Sequence, residues 1–323
     1  MHVLTVTGPV DPATLGSTLM HEHLLSLVPG RFFTGGQWDD AVDTAERALG
    51  GLPAQGVGAI VDLTGRSGVD AGSNLAPLRE IAARTGLAVV AGVGLYKEPY
   101  PEWVAAAGVD DVADRLVAMA TEAGAGIFGE IGTSLDVVTA AEEKVLRGAV
   151  RAHRRTGLAI STHCTLGTMA TEQVAIMASE GADLRRVVVG HLDLSPRLPY
   201  LEAVLATGVN VAFDTFGKQW FDYQVPDSAD QGDGEFVKWA HHRPDTDRIA
   251  AFAALVARGY AGQLVLSCDI SGREAYLNLD THGRHGYGYL PAVVLPALRA
   301  AGVGEDALRQ VLVDNPARIL TVP

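Results

Sequence analysis

Eight short apolar runs recur along this chain, separated by Ala-rich amphipathic segments, and five of the runs end in His, Glu or Asp. Runs of this length and composition read as parallel strands buried on both faces. They fall at 18–23, 58–63, 88–94, 126–131, 158–163, 186–191, 209–214 and 263–269. Helical patterns lie between and after them, near 39–56, 74–86, 110–124, 139–156, 168–181, 197–207, 245–260 and 290–312. Strands alternating with helices make βαβ units, and right-handed crossovers put every strand's C-terminal end on one rim. Eight such units predict a closed α/β barrel, the (β/α)8 or TIM barrel, whose chemistry sits on that rim. The segment 2–16 (Val3-Leu4-Thr5-Val6-Thr7, then Gly8-Pro9-Val10-Asp11-Pro12) predicts a short hairpin. With no linker or repeat in sight, the expectation is one domain over 1–323, hairpin 1–16 followed by barrel 17–323.

The best-marked helix is 139–156. Thr139 can cap it, Glu142 stands three residues on as a capping box requires, and Gly157 follows the basic Arg151, Arg154 and Arg155. Other helices end near Gly56, Gly86, Gly108, Gly181, Gly208 and Gly259. With 48% hydrophobic and 20% charged residues there is material for a large core, and disorder is not indicated. A formal net charge of -13 argues against a nucleic-acid partner, which needs clustered Lys and Arg. The first residues carry no basic stretch followed by an apolar one, and no apolar run is long enough to span a bilayer. No membrane partner is therefore expected, and Cys164 and Cys268, too few for a disulfide framework, fit the cytoplasm. Each lies next to a polar strand end. If His163 and Asp269 face the barrel interior, alternation turns both thiols towards the helices as packing groups.

The polar strand ends carry the chemistry. His21 and His23 in Met20-His21-Glu22-His23-Leu24 are two apart. On a helix that spacing splays them about 200° apart, whereas on a strand they point the same way, with Leu19 beneath and Glu22 facing out. Taken alone, such a pair could equally be two hydrogen-bonded histidines. Glu130 (Ile127-Phe128-Gly129-Glu130), His163 (Ile160-Ser161-Thr162-His163), His191 (Val188-Val189-Gly190-His191) and Asp269 (Leu266-Ser267-Cys268-Asp269) end four further strands. Burying such groups unpaired costs several kcal/mol, so they must be paired or metal-bound. Glu130 could pair with an arginine, or bridge two ions with its two oxygens. Six nitrogen and oxygen ligands from five strands suit two divalent ions, zinc first, with manganese, cobalt or iron able to substitute. Two ions about 3.5–4 Å apart would hold a bridging hydroxide at neutral pH. Asp269 is then both a ligand and the catalytic proton acceptor, and the reaction is hydrolysis of an ester-like bond at carbon or phosphorus.

Leu15-Gly16-Ser17-Thr18-Leu19-Met20-His21-Glu22-His23-Leu24, Gly129-Glu130-Ile131-Gly132, Thr162-His163, Gly190-His191, Ser267-Cys268-Asp269 and Asp314-Asn315-Pro316-Ala317-Arg318-Ile319-Leu320 together resemble the phosphotriesterase-related family of the amidohydrolase superfamily. The likeness spans nearly the whole chain in order. It implies a binuclear barrel hydrolase in which His21, His23 and Asp269 hold the buried metal and His163 and His191 the more exposed one. Many members place a carboxylated lysine on the fourth strand, where this chain has Glu130, as in the phosphotriesterase homology branch. Glu130 counts against phosphotriesterase activity and favours lactones or carboxylic esters, with a phosphorylated sugar lactone among the candidates. Lys97, after the third strand, is a rim residue rather than the bridge.

Two long connections, 215–244 and 270–289, would wall the mouth. Arg243 and Arg273 on them could fork onto a phosphate, or Arg273 could pair with Glu274 or Asp280. Trp220, Tyr223, Tyr96 and Tyr287 could line an apolar pocket, fold the loops down, or build a dimer face; relatives are commonly homodimers. Tyr96, Lys97, Trp220, Arg243 and Arg273 are thus the substrate-binding candidates. Asp62 and Asp214 are expected to be structural hydrogen-bond acceptors. Two other functions stay open: a phosphotriesterase, and a barrel that binds a ligand without turnover.

Overall fold

The structure, a computed structural model, describes residues 1–25, 41–65, 74–218, 222–225, 238–241, 243–270 and 283–322. In chain order the strands are β1 (His2–Thr5), β2 (Gly8–Val10), β3 (Ser17–Glu22), β4 (Val57–Gly65), β5 (Ala88–Val93), β6 (Ile127–Thr133), β7 (Ala159–Cys164), β8 (Val187–Gly190), β9 (Asn210–Phe213), β10 (Asp222–Val225), β11 (Lys238–His241), β12 (Leu264–Leu266) and β13 (Thr321–Val322). Eight of them form one parallel sheet in the order β12-β9-β8-β7-β6-β5-β4-β3. Its two edge strands meet through Asp269 N–H on His21 O (3.1 Å) and His23 N–H on Ile270 O (2.9 Å), so the sheet curls into a nearly closed TIM barrel.

Apolar alternation divides the strands between two cores. Ala59, Val61, Leu63, Val90, Ile127, Ala159, Val188, Ala212 and Val265 fill the barrel interior, with Val3, Leu15, Ile319 and Leu320 in the same cluster. Ile60, Val89, Phe128, Ile160, Val189, Val211 and Leu266 face outward into a larger cluster with the helices. Cys164 and Cys268 belong to this outer core and are fully buried, which pushes both thiol pKa values up. Among the described residues no helix is long and apolar enough to cross a membrane.

Helix Ala140–Thr156 carries the expected capping box. Thr139 accepts from Glu142 N–H (3.2 Å), Glu142 accepts in return from Thr139 N–H (3.0 Å), and Gly157 closes the helix at φ 75. Gly108 departs from its expected place at a helix end: it begins helix Val109–Ala123 at φ -81. The hairpin of β1 and β2 lies within 2–16 as expected, and gains β13 as a third strand on β1. The long 215–244 connection is not bare loop, since β10 and β11 pair antiparallel within it.

Alternation fails at two places. Leu19 does not lie beneath the histidine pair: it faces the outer core, and Met20 packs in the interior. A register shift between Leu19 and Glu22 breaks the period of two, so His21 follows Met20 inward. β6 has the same irregularity between Phe128 and Ile131, which lets Glu130 join the interior although Ile127, three residues before it, also faces in.

Candidate metal centre

All six expected ligand residues meet at the C-terminal mouth. Glu130 stands in the middle and is fully buried. Its Oε1 lies 3.0 Å from His163 Nδ1, 3.2 Å from His191 Nε2 and 3.5 Å from His21 Nε2. Its Oε2 lies 3.4 Å from His23 Nε2. Asp269 Oδ1 is 2.9 Å from His23 Nε2 and 3.5 Å from His21 Nε2. His163 is the most open donor, its side chain 13% exposed against 0–4% for the other three histidines. His191 (φ 63) and Asp269 (φ 50) lie just past their strand ends in the left-handed region, uncommon for residues other than glycine. Such backbone concentrates at functional sites, where the surrounding structure over-determines it.

The donor set fits metal ions. Three groups (His21, His23, Glu130; His21, His191, Asp269; Glu130, His163, His191) each bring three donor atoms within 4.8 Å of one another. His21 Nε2 is enclosed but makes no hydrogen bond; what it faces is Glu130 Oε1 and Asp269 Oδ1. A buried ring nitrogen aimed between two carboxylates without a hydrogen bond is costly unless a cation lies there. Imidazole nitrogen with carboxylate oxygen is the set expected for zinc and its borderline neighbours.

Around the donors stand residues whose part the sequence did not disclose. Asp214, expected to be a structural acceptor, takes His21 Nδ1 on Oδ2 (2.8 Å) and His191 Nδ1 on Oδ1 (3.0 Å). It also accepts His191 N–H (2.9 Å). Each Nδ1 proton held there leaves Nε2 as the lone-pair donor facing the cluster. Burial opposes the Asp214 charge, yet His191 and His21 hold its pKa below the usual carboxylate range. Asp62 keeps the structural role expected of it, accepting Leu24 N–H (2.7 Å) and Thr64 Oγ1–H (2.6 Å).

Glu22 is not a solvent-facing residue. It is fully buried and accepts Ser267 Oγ–H at Oε1 (2.7 Å), Cys268 N–H (2.9 Å) and Ile270 N–H (2.7 Å). This clamps the end of the last barrel strand against the first. Burial, outweighing those three hydrogen bonds, pushes its pKa up to about 7. Lys218, five residues past β9, places Nζ 2.6 Å from Asp269 Oδ2. Burial works against the Asp269 charge, but Lys218, His21 and His23 bring its pKa well below the ordinary value.

Among the substrate-binding candidates, Tyr96 OH lies 3.0 Å from His163 Nε2. Lys97 is half-buried and donates to Thr165 Oγ1 (2.9 Å), a hydroxyl also 3.2 Å from His163 Nε2. Both therefore stand on the open, His163 side of the cluster. Arg243 is exposed, and its carbonyl accepts from Arg248 Nη1. Tyr287 is buried and donates to His23 O (3.1 Å), so it folds its segment down rather than lining a pocket. Trp220 and Arg273 lie outside the described residues.

Comparison with known proteins agrees with this geometry. The phosphotriesterase family profile matches residues 1–320. The phosphotriesterase homology protein of Escherichia coli is 34% identical over 95% of this chain and 98% of its own length. The N-acetyltaurine hydrolase of Tetraodon nigroviridis is 28% identical over 99% of this chain and 97% of its own. The crystal structure of the E. coli protein, complexed with phosphate in its active site, superposes with a TM-score of 0.79 at 32% identity, covering 95% and 99% of the two chains. A mutant phosphotriesterase-like lactonase of Deinococcus radiodurans gives 0.81 at 28% identity, covering 99% and 100%. Matched from end to end in sequence and in shape, this chain belongs to the phosphotriesterase family.

Proposed function

We propose that the protein is a binuclear metal-dependent hydrolase that opens lactones or cleaves carboxylic esters at the carbonyl carbon. The observation that carries this is Glu130, within 3.5 Å of a ring nitrogen of all four histidines. One glutamate so placed is suited to share its two oxygens between two cations. His21, His23 and Asp269 would hold one ion, and His163 and His191 the other. When bound, such ions supply Lewis acidity and an acidified water, with zinc the best match to the donors.

The residues divide the remaining work. Asp214 accepts from Nδ1 of His21 and His191 and so directs Nε2 of both rings inward. Asp269, ionised and buried, takes the proton lost by the attacking water at the oxygen facing the cluster. Tyr96 and Lys97, beside the most open donor, meet the acyl or leaving part of the substrate, together with Arg243 and the undescribed Trp220 and Arg273. An ammonium at Lys97 favours substrates that carry a negative group, phosphorylated lactones among them.

A second reading follows from relatives named N-acetyltaurine hydrolase, whose substrate is an anionic N-acyl amide. The same carbonyl chemistry would serve such an amide. Phosphotriester hydrolysis is the weaker alternative because a glutamate bridge replaces the carboxylated lysine. The deciding experiment is metal analysis of the purified protein. It is followed by assays on neutral and phosphorylated lactones, N-acyl amides and paraoxon-type esters. Two equivalents of divalent metal with turnover confined to carboxylic substrates is the expected outcome. Absence of metal, or metal without turnover of any of them, would leave a ligand-binding barrel.

A further inference from the structure

The turn that follows β9 holds a residue at each end that grips candidate metal ligands. At its start Asp214 grips His21 and His191; at its finish Lys218 reaches Asp269, 51 residues on. The turn is fastened from behind by buried groups. Gly217 N–H donates to the Asp245 carboxylate (3.0 Å to Oδ2), and Thr215 N–H to Asp193 Oδ2 (2.9 Å). Arg248, fully buried, donates to Thr215 Oγ1 (3.1 Å) and Asp245 Oδ1 (2.9 Å), and Tyr289 OH donates to Asp245 Oδ2 (2.8 Å). A lysine is a long, pliable side chain, and ordering one is costly unless its base is held still. Here the turn that carries the base is fastened at Thr215 and Gly217.

The consequence lies in which oxygen the ammonium takes. Nζ is 2.6 Å from Oδ2, while Oδ1 of the same carboxylate faces His23 Nε2 at 2.9 Å and His21 Nε2 at 3.5 Å. A carboxylate is planar, so fixing one oxygen fixes the direction of the other. We propose that Lys218 is a positioning residue of the reaction: by holding Asp269 Oδ2 it turns Oδ1 towards the metal-binding cluster. Lys218 then acts through Asp269 and has no need to touch the substrate. The same segment would set the direction of three of the six donors, His21 and His191 through Asp214 and Asp269 through Lys218. The idea rests on the metallohydrolase reading and adds a residue to it.

The test uses the full-length protein reconstituted with Co2+, whose visible absorption reports ligand geometry, alongside kinetics on whichever substrate the wild type turns over. Lys218→Met should change the cobalt bands and lower kcat by about 10- to 100-fold, the usual cost of removing a group that orients a ligand. KM should stay within roughly threefold, as for loss of an interaction realised in the transition state. Lys218→Arg should restore both readouts in part. Cobalt bands unchanged in Lys218→Met, or a raised KM with kcat preserved, would overturn the proposal, the latter because the lysine would then be meeting substrate. Lys218→Gln, which keeps a donor of similar reach without the charge, is read the same way if Lys218→Met does not fold. Failure of both to fold would make the residue a support of the fold and overturn the proposal too. A wild type that takes up no cobalt sinks the metal reading itself, before any variant is compared.

Discussion

Replacing Asp214 by Asn removes almost no volume but breaks the symmetry on which two donors depend. The carboxylate accepts from both imidazoles, at 2.8 and 3.0 Å, with one oxygen for each ring. An amide has one oxygen and one NH2. The ring that meets the oxygen keeps its proton on Nδ1. The ring that meets the NH2 must accept there, and its proton moves to Nε2, where it points into the cluster and removes a lone pair. At least one charge-assisted hydrogen bond is lost, about 1.5–3 kcal/mol. At about 1.4 kcal/mol per factor of ten, that weakens metal binding by roughly 10- to 100-fold. Competition against a chromophoric chelator measures this directly, and thermal melting of the metal-free protein checks that the variant is folded. A folded Asp214→Asn protein that holds its metal within about threefold of wild type would refute the tautomer argument, since both rings would then be directed by something else.

Other expectations concern side chains that face away from the metal-binding cluster. Asn315 is fully buried, donates to Ala261 O and Leu264 O (2.7 Å each) and accepts from Gln310 Nε2–H (2.8 Å). Asn315→Ala should cost about 1–3 kcal/mol for the backbone groups left bare, read as a lower urea midpoint with metal content unchanged; a midpoint equal to wild type would contradict it. Cys164 and Cys268 are buried with raised pKa values, so neither should react with a thiol reagent until the protein is unfolded. Rapid labelling of the native protein would contradict that packing. His153 donates from Nδ1 to Leu158 O (2.6 Å) and accepts Asp183 N–H at Nε2 (3.2 Å), an arrangement open only to the neutral ring. Burial, helped by Arg186, lowers its pKa from 6.5. The unfolded chain therefore binds the proton first as pH falls, and the stability His153 lends is present above about 6.5 and lost below it. The melting temperature of wild type should fall more steeply than that of His153→Gln as pH drops below that value, and parallel curves would count against this account.

How much of this was legible beforehand follows from which features depend on local pattern. The barrel was, because each stave is a contiguous apolar run and each crossover a contiguous amphipathic one. The six donors were legible for the same reason, as polar breaks at the ends of those runs. Leu19 was misplaced because a period of two holds only while the register does, and the shifts in β3 and β6 leave no mark in composition. Alternation turned Glu22 away from the cluster but could not show what it meets there: the segment just past β12 covers it and supplies three hydrogen-bond donors. The ribbon of β10 and β11 went unseen because its strands are short and interrupt a polar stretch.

Lys218 shows where reading by pattern ends. Nothing near it in sequence sets it apart from any lysine at the start of a long loop, and its partner is 51 residues away, just past a different strand. Asp214 was found, as a polar group ending an apolar run, but its task was not, because the two rings it directs come from β3 and from just beyond β8. Both cases have one physical cause. A donor announces itself by being polar where its own strand is apolar, whereas a residue that aims a donor is defined only by what closure of the barrel brings against it. In this chain the candidate ligands can be read along the strands, and the residues that orient them only around the rim.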